Sequence, residues 1–259
     1  MDIATIIGLV LGFGAIIGGQ ILEGGHVQAL LQPTAALIVL GGTFGATLVS
    51  FPMPAVLKAF KEALRAFLPP KTSFEQTISN IITYAQKARK DGILSLEQDA
   101  KMAKDPFLHK GLNLITDGTE PQTFRDTMEI ELATFEEQAK TSPEFFEAAG
   151  GFAPTIGIIG AVLGLIHVMS NLSDASKLGE GIAVAFVATI YGLITANIIC
   201  IPISTKLKHQ NKELVKDKMI ILEGLFSLLA GENPRFIEEK LKAYLHEKGK
   251  GSKDDEKKK

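Results

Sequence analysis

Chemistry within an apolar run needs an ionisable or coordinating side chain, and this sequence offers few. His167 is the sole candidate for a proton relay, and alone it reads more readily as an interfacial polar group than as a relay or ligand. Thr155, Thr189, Tyr191, Thr195 and Asn197 could line a polar path. The competing reading is that each bonds to the backbone of its own helix, as hydroxyls in such settings usually do. His26, His109, His209 and His246 are scattered without zinc-site spacing, so no metal is expected. Gly150-Gly151 and Gly157/Gly160/Gly164 lack the lysine that follows a phosphate-binding loop. Cys200 is the single cysteine and cannot close an internal bridge. No enzyme, no cofactor and no nucleic-acid partner are expected.

An absence is more informative. Asp, Glu, Lys and Arg are missing from residues 3–22, 24–57, 148–173 and 181–205, with Glu23 and Glu180 at edges. Ion carriers in membranes depend on buried ionisable groups. A self-sufficient transporter is therefore not expected. If the chain serves ion movement, another subunit must bring the titrating group.

These residues need elements to hold them, and the charge-free runs supply those. The chain has 259 residues, 46% hydrophobic and 22% charged, with 25 glycines, no tryptophan and a net charge of −2. Mean hydropathy is +0.20. Each charge-free run can span a bilayer core, which takes roughly 20 apolar residues. An ordinary globular enzyme, a secreted disulfide scaffold and a disordered chain are excluded. The fold class is all-α: four membrane helices in two hairpins, with a helical cytoplasmic domain. Residues 3–22 hold eleven Leu, Ile, Val or Phe. These contribute roughly −3 to −7 kcal/mol towards insertion. Met1-Asp2 offers no basic n-region, so an uncleaved helix is expected rather than a signal peptide. The second crossing is expected at 34–51, ended by Pro52 and Pro54, the third at 151–170 and the fourth at 181–204, with a polar turn over 171–180.

The domains follow as 1–52, 53–147, 148–204 and 205–259. Every Lys and Arg except Lys177 lies in the second or fourth of these. Both are expected to be cytoplasmic, as are both termini. Thr72-Ser73 is a helix start before Ile78, Ile81, Ile82 and Ala85, and Asp91-Gly92 is a break. Further helices carry Phe107, Leu108, Leu112 and Ile115, closed by Asp117-Gly118, then Phe124, Met128, Ile130 and Leu132. The tail reads as a helix over 206–230, a Gly231-Glu232-Asn233-Pro234 turn, a helix to about 246 and a disordered lysine-rich end from about 249 that could contact anionic lipid.

Small residues recur at four-residue spacing: Gly8/Gly12, Gly14/Gly18, Gly41/Gly45, Gly160/Gly164 and Ala188/Gly192/Ala196. Such faces let helix backbones approach closely. They serve packing within one chain, or a multi-subunit bundle. Pro154 and Pro202 bracket the second hairpin on its cytoplasmic side; they either end helices or act as flex points.

Met1-Asp2-Ile3-Ala4-Thr5-Ile6-Ile7-Gly8 resembles the opening of flagellar motor stator A subunits of the MotA/PomA family, in the MotA/TolQ/ExbB proton channel superfamily. Ala88-Arg89-Lys90-Asp91-Gly92-Ile93-Leu94-Ser95-Leu96-Glu97 is similar to the family's insert. Ala153-Pro154-Thr155-Ile156-Gly157 and Ala188-Thr189-Ile190-Tyr191-Gly192 are similar to its third and fourth helices, and Gly231-Glu232-Asn233-Pro234-Arg235 to its tail. The ordered set covers nearly the whole chain. The resemblance implies a multi-pass inner-membrane protein, a homopentamer around a dimer of a MotB/PomB-type B subunit that carries the ion-binding aspartate. Ion flow then drives rotation against the rotor protein FliG.

The resemblance also assigns roles. Arg89 and Glu97 match the rotor-contacting charges; were 89–97 helical, they would lie near two turns apart and share a side. Pro154 and Pro202 match the coupling prolines and Thr189 the pore threonine; Thr155 and Tyr191, polar-lining candidates by residue type, and Ala161 complete the expected lining of the ion path. Sodium-driven members carry threonine where this chain has Ala161. A methyl group cannot coordinate Na⁺, so H⁺ is the expected ion, with a Na⁺-driven stator as the alternative. An ExbB/TolQ-type scaffold, with three crossings, is the other alternative.

Overall fold

The computed structural model describes residues 3–68, 72–170 and 175–246. These residues form helices and turns, with no strand among them. In chain order the α-helices are α1 (Ile3–Leu22), α2 (Pro33–Ala36), α3 (Gly42–Ser50), α4 (Met53–Ala63), α5 (Phe74–Asp91), α6 (Glu97–Met102), α7 (Pro106–Thr116), α8 (Pro121–Ser170), α9 (Ala175–Ile194), α10 (Ile201–Leu229) and α11 (Pro234–His246). A π-helical segment, Leu37–Gly41, joins α2 to α3, and another, Thr195–Cys200, joins α9 to α10. Among the described residues, four helical segments are long and apolar enough to cross a membrane: Ile3–Leu22, Val27–Ser50, Pro121–Ser170 and Leu178–Leu229.

Two expected boundaries are absent and a third is shifted. No break separates the insert from the third crossing, because α8 runs through both Pro143 and Pro154. No break separates the fourth crossing from the tail. Residues 175–180 are the first turns of α9 rather than part of a polar turn; 171–174, like the lysine-rich end and Met1-Asp2, lie outside the described residues. A proline removes only its own backbone donor and crowds the carbonyl four residues back. The remaining hydrogen bonds and packing can carry the helix past it. Ahead of Pro202 the register shifts, with the Ile201 N–H donating to the Ala196 carbonyl five residues back. Such a π-turn accommodates an interruption without ending the helix.

Compactness divides the chain elsewhere than membrane crossing does. The first unit is Met1–Pro70 with Ala139–Gln210; the second is Lys71–Gln138 with Asn211–Lys259. Residues 53–68 and 139–147 join the first unit because aromatic rings anchor them there. Phe145 lies 5.6 Å from Phe51 and 5.5 Å from Phe60 between ring centres, and 5.2 Å from Phe146. Edge-on contacts of this kind add to simple burial. Leu207 is fully buried among them. Ser204 Oγ donates to the Pro143 carbonyl at 2.8 Å, and Gln210 Nε2 donates to the Arg65 carbonyl at 2.9 Å.

The second unit has a conventional core of Ile78, Ile81, Leu96, Leu112, Ile115, Phe124, Met128, Ile220, Leu225, Ile237 and Leu241. Ile130, by contrast, is exposed. The expected helix start at Ser73 and turn at Gly231 are present, and Asp105 adds a cap not expected from the sequence. Ser73 caps α5 by accepting from the Gln76 N–H at 3.4 Å. Asp105 caps α7 by accepting from the Phe107 and Leu108 N–H groups at 2.8 and 3.0 Å. Gly231, at φ +74°, ends α10: its N–H donates to the Leu228 carbonyl and that of Glu232 to Ser227. This pair of backbone bonds at a left-handed residue fixes where the chain goes after the helix. Lys218, nearly buried, stacks over the rings of Phe107 and Phe135 at 4.9 and 4.5 Å and lies 3.4 Å from Asp105. Cation–ring contact offsets part of the cost of removing an ammonium from water.

Candidate functional site

The second hairpin is built on absent side chains. A Cβ added at Gly192 would lie 2.6 Å from the Ala153 carbonyl oxygen and 3.2 Å from Pro154 Cα. One at Gly164 would lie 2.8 Å from the Ala185 nitrogen, and one at Gly157 3.0 Å from the Ala188 carbonyl and 3.5 Å from Thr189 Cα. The crossing therefore brings Pro154, Gly157, Thr189 and Gly192 together. Pro202 is elsewhere. It lines a cavity of about 700 Å³ with Gly8, Gly12, Phe13 and Lys206, where Lys206 Nζ donates to Thr5 Oγ1 at 3.1 Å.

Polar groups in this hairpin bond mainly to backbone. Thr155 Oγ1 donates to the Phe152 carbonyl at 2.8 Å, Thr189 Oγ1 to that of Ala185 at 3.3 Å, and Asn197 Nδ2 to that of Leu193 at 3.0 Å. Tyr191 differs, because its hydroxyl donates to the Leu30 carbonyl at 2.6 Å and accepts from the Gln32 N–H at 3.3 Å. It acts as a strut to the connection before α2. Ala161 is half-buried, and Thr155 shares an exposed face of α8 with Ile158, Ile159 and Val162. His167 is exposed. The Thr155 and Thr189 hydroxyls each keep a lone pair while the proton is held by their own helix, so they can accept hydrogen bonds but carry no charge.

Arg89 and Glu97 occupy a different arrangement from the one helical spacing suggested. The helix stops at Asp91; Gly92 adopts φ +83°, a turn of 3₁₀ helix covers Ile93–Leu96, and α6 begins at Glu97. A side chain with a Cβ is strained at that φ, and glycine is not. The two charges lie on successive helices, both exposed and flanking a bend that presents Leu94 at 73% exposure. Lys87 Nζ, 2.6 Å from Asp99 Oδ2, ties the arms of this bend two residues further from its tip on each side. Sequence reasoning missed this pair; its only signal was opposite charge on either side of Asp91-Gly92. Glu97 accepts from Lys101 Nζ at 2.7 Å, and this hydrogen bond holds its carboxyl below the ordinary range. Arg89 has no ion pair among the described residues.

No cluster of His, Cys, Asp or Glu that could hold a metal occurs among the described residues. Residues 6–92 match the family described as Motility protein A N-terminal, and residues 99–219 the MotA/TolQ/ExbB proton channel family. The chain is 36% identical over 245 residues to Motility protein A of Helicobacter pylori, covering 95% of each. It is similar to a solved structure of C. jejuni MotAB, at TM-score 0.89 and 32% identity, covering 94% of this chain and 96% of that one. It is similar also to the flagellar MotAB stator complex from Bacillus subtilis, at TM-score 0.86 and 36% identity, with the same coverage.

Proposed function

The chain belongs to the motility protein A family of flagellar stator subunits, and from that premise we propose how it handles the ion. It is a multi-pass inner-membrane protein of the flagellar motor stator, a family of ion-channel subunits with a MotB-type partner. In the proposed reading it has no catalytic role and no resident cofactor. It forms the uncharged wall of a conduit, and a B-subunit dimer inside an A-subunit homopentamer supplies the titrating carboxylate. The observation that carries this is the lack of Asp, Glu, Lys and Arg from four membrane-length runs. Transmembrane ion relays normally need such groups.

Further observations support the finer parts. Added Cβ atoms at Gly8, Gly14, Gly18, Gly41 and Gly45 would meet nothing within 4 Å. Close-approach faces left open in one chain suit contacts between copies. The basic residues concentrated in 53–147 and 205–259 favour cytoplasmic termini and contact with anionic lipid headgroups. Arg89 and Glu97 flank an exposed bend, as suits charges that meet FliG repeatedly and are steered by complementary fields. Pro154, packed on Gly192, and Pro202, beside a π-turn, are the flex points between membrane and cytoplasmic parts.

H⁺ is the proposed ion, because Ala161 offers no oxygen to a dehydrating Na⁺. Swimming is then unaffected by replacing sodium with potassium and abolished by a protonophore. Swimming that stops without sodium and survives the protonophore overturns the assignment. Thr189→Val, which removes the hydroxyl beside the crossing, lowers ion flux and torque while the A–B complex still assembles. Unchanged flux would leave the chain a passive scaffold.

A further inference from the structure

Beside Arg89 the second unit holds a groove of about 190 Å³ that the function described so far does not use. Its walls include Ala88, Ile93, Leu228 and Leu229, with Arg89 and Glu232 among its lining residues. Neither charged residue has a close ion-pair partner among the described residues. Arg89 has no ion pair among the described residues. Glu232 Oε2 is buried with no hydrogen-bond donor. The nearest cation, Lys240, stands 3.9 Å from the other oxygen, and donates instead to Ser227 Oγ at 3.0 Å while pairing with Glu223. Glu232 is held at the groove by backbone, since its N–H donates to the Ser227 carbonyl at 3.1 Å beyond left-handed Gly231. A buried carboxylate oxygen without a donor is costly unless something else supplies one.

We propose that this groove is a socket for the rotor: it receives one large apolar side chain from a rotor helix, flanked there by an acidic residue for Arg89 and a basic residue for Glu232. The inference rests on the reading that Arg89 meets the rotor, and extends that contact to the turn between α10 and α11. The volume is on the scale of a side chain and not of a whole helix. Opposite charges beside an apolar floor select a partner of mixed charge. A nucleic acid would meet Glu232 as a repulsion, so a protein surface is the fitting occupant. Burying the apolar side chain supplies contact energy, and the two charge pairs fix register and hasten encounter.

The test compares Ala88→Leu, which fills the floor, Glu232→Lys, which reverses one lining charge, and Arg89→Glu, in cells and in the purified A–B complex mixed with rotor protein. Expected results are normal membrane level and oligomer size for all three, with a several-fold loss of torque and of rotor-protein capture. A charge reversal on the rotor side should restore Glu232→Lys. Full torque in both groove variants, with torque lost in Arg89→Glu, overturns the socket and leaves the Arg89 reading standing. Full torque in all three overturns that reading as well. Loss of oligomer size in Glu232→Lys would make the groove an interface between copies of this chain, and also overturns the socket.

Discussion

The two membrane hairpins carry the same four-residue spacing of small side chains and use it differently. In the second, Gly157, Gly160, Gly164 and Gly192 face backbone or Ala188 of the partnering helix at distances where a Cβ cannot fit without a shift. In the first, Gly8, Gly14, Gly18, Gly41 and Gly45 face nothing within 4 Å, while Gly12 and Gly42 meet side chains of this chain, Ile198 and Ile156. No residue of α1 is buried. A spacing that permits close approach thus does not say what approaches. In one hairpin it is the same chain; in the other the chain itself leaves most of these faces open, which suits the proposed contact between copies.

Substitutions can break this contrast. The largest effect is expected at Gly192, where even alanine puts a carbon 2.6 Å from a backbone oxygen. Overpacking costs about 1–3 kcal/mol when side chains can yield, and a backbone neighbour yields less. Gly192→Leu should therefore abolish the folded chain, read as loss of the protein from membranes. Gly14→Leu should leave the chain inserted at normal level but reduce its oligomer size in detergent. If both behave alike, the hairpins are not used differently. A smaller effect is expected away from the membrane. Breaking the half-exposed Lys87–Asp99 pair with Asp99→Asn should cost roughly 0.2–1 kcal/mol of stability. Torque should fall more than that suggests, because the pair braces the bend that carries Arg89 and Glu97.

The smallest effect is on pH. The hydrogen bond from Lys101 lowers the folded-state Glu97 pKa, so the small contribution of this pair is fully present above the unfolded carboxylate range. It fades only as pH falls through the lowered value. Stator torque in permeabilised cells should accordingly show no step attributable to Glu97 near neutral pH, tested by comparing the chain with Glu97→Gln.

The contrast between the hairpins was not legible in the sequence, but much of the fold was. Charge-free runs located the membrane helices because a missing charge is a property of composition alone. Ser73, Gly92, Asp117-Gly118 and Gly231 marked their turns because the backbone geometry there is local. What could not be read were the places where packing overrules a local rule. Pro143 and Pro154 ought to interrupt a helix, yet α8 continues, and the Pro143 carbonyl is met by Ser204 from 61 residues away in sequence. Helical spacing put Arg89 and Glu97 on one face; a positive φ at Gly92 put them on two arms of a bend instead. Glu232 was read only as part of a turn, since its buried oxygen and its nearness to Arg89 depend on contacts distant in sequence.

The claim on which the account turns is that this chain contributes no acid to the ion path. Liposomes holding the purified A chain alone, and others holding it with its B subunit, can be compared for proton uptake under an imposed potential. Uptake confined to the A–B vesicles, and lost when the B-subunit aspartate is replaced by asparagine, is the predicted result. Equal uptake by the A chain alone would contradict it.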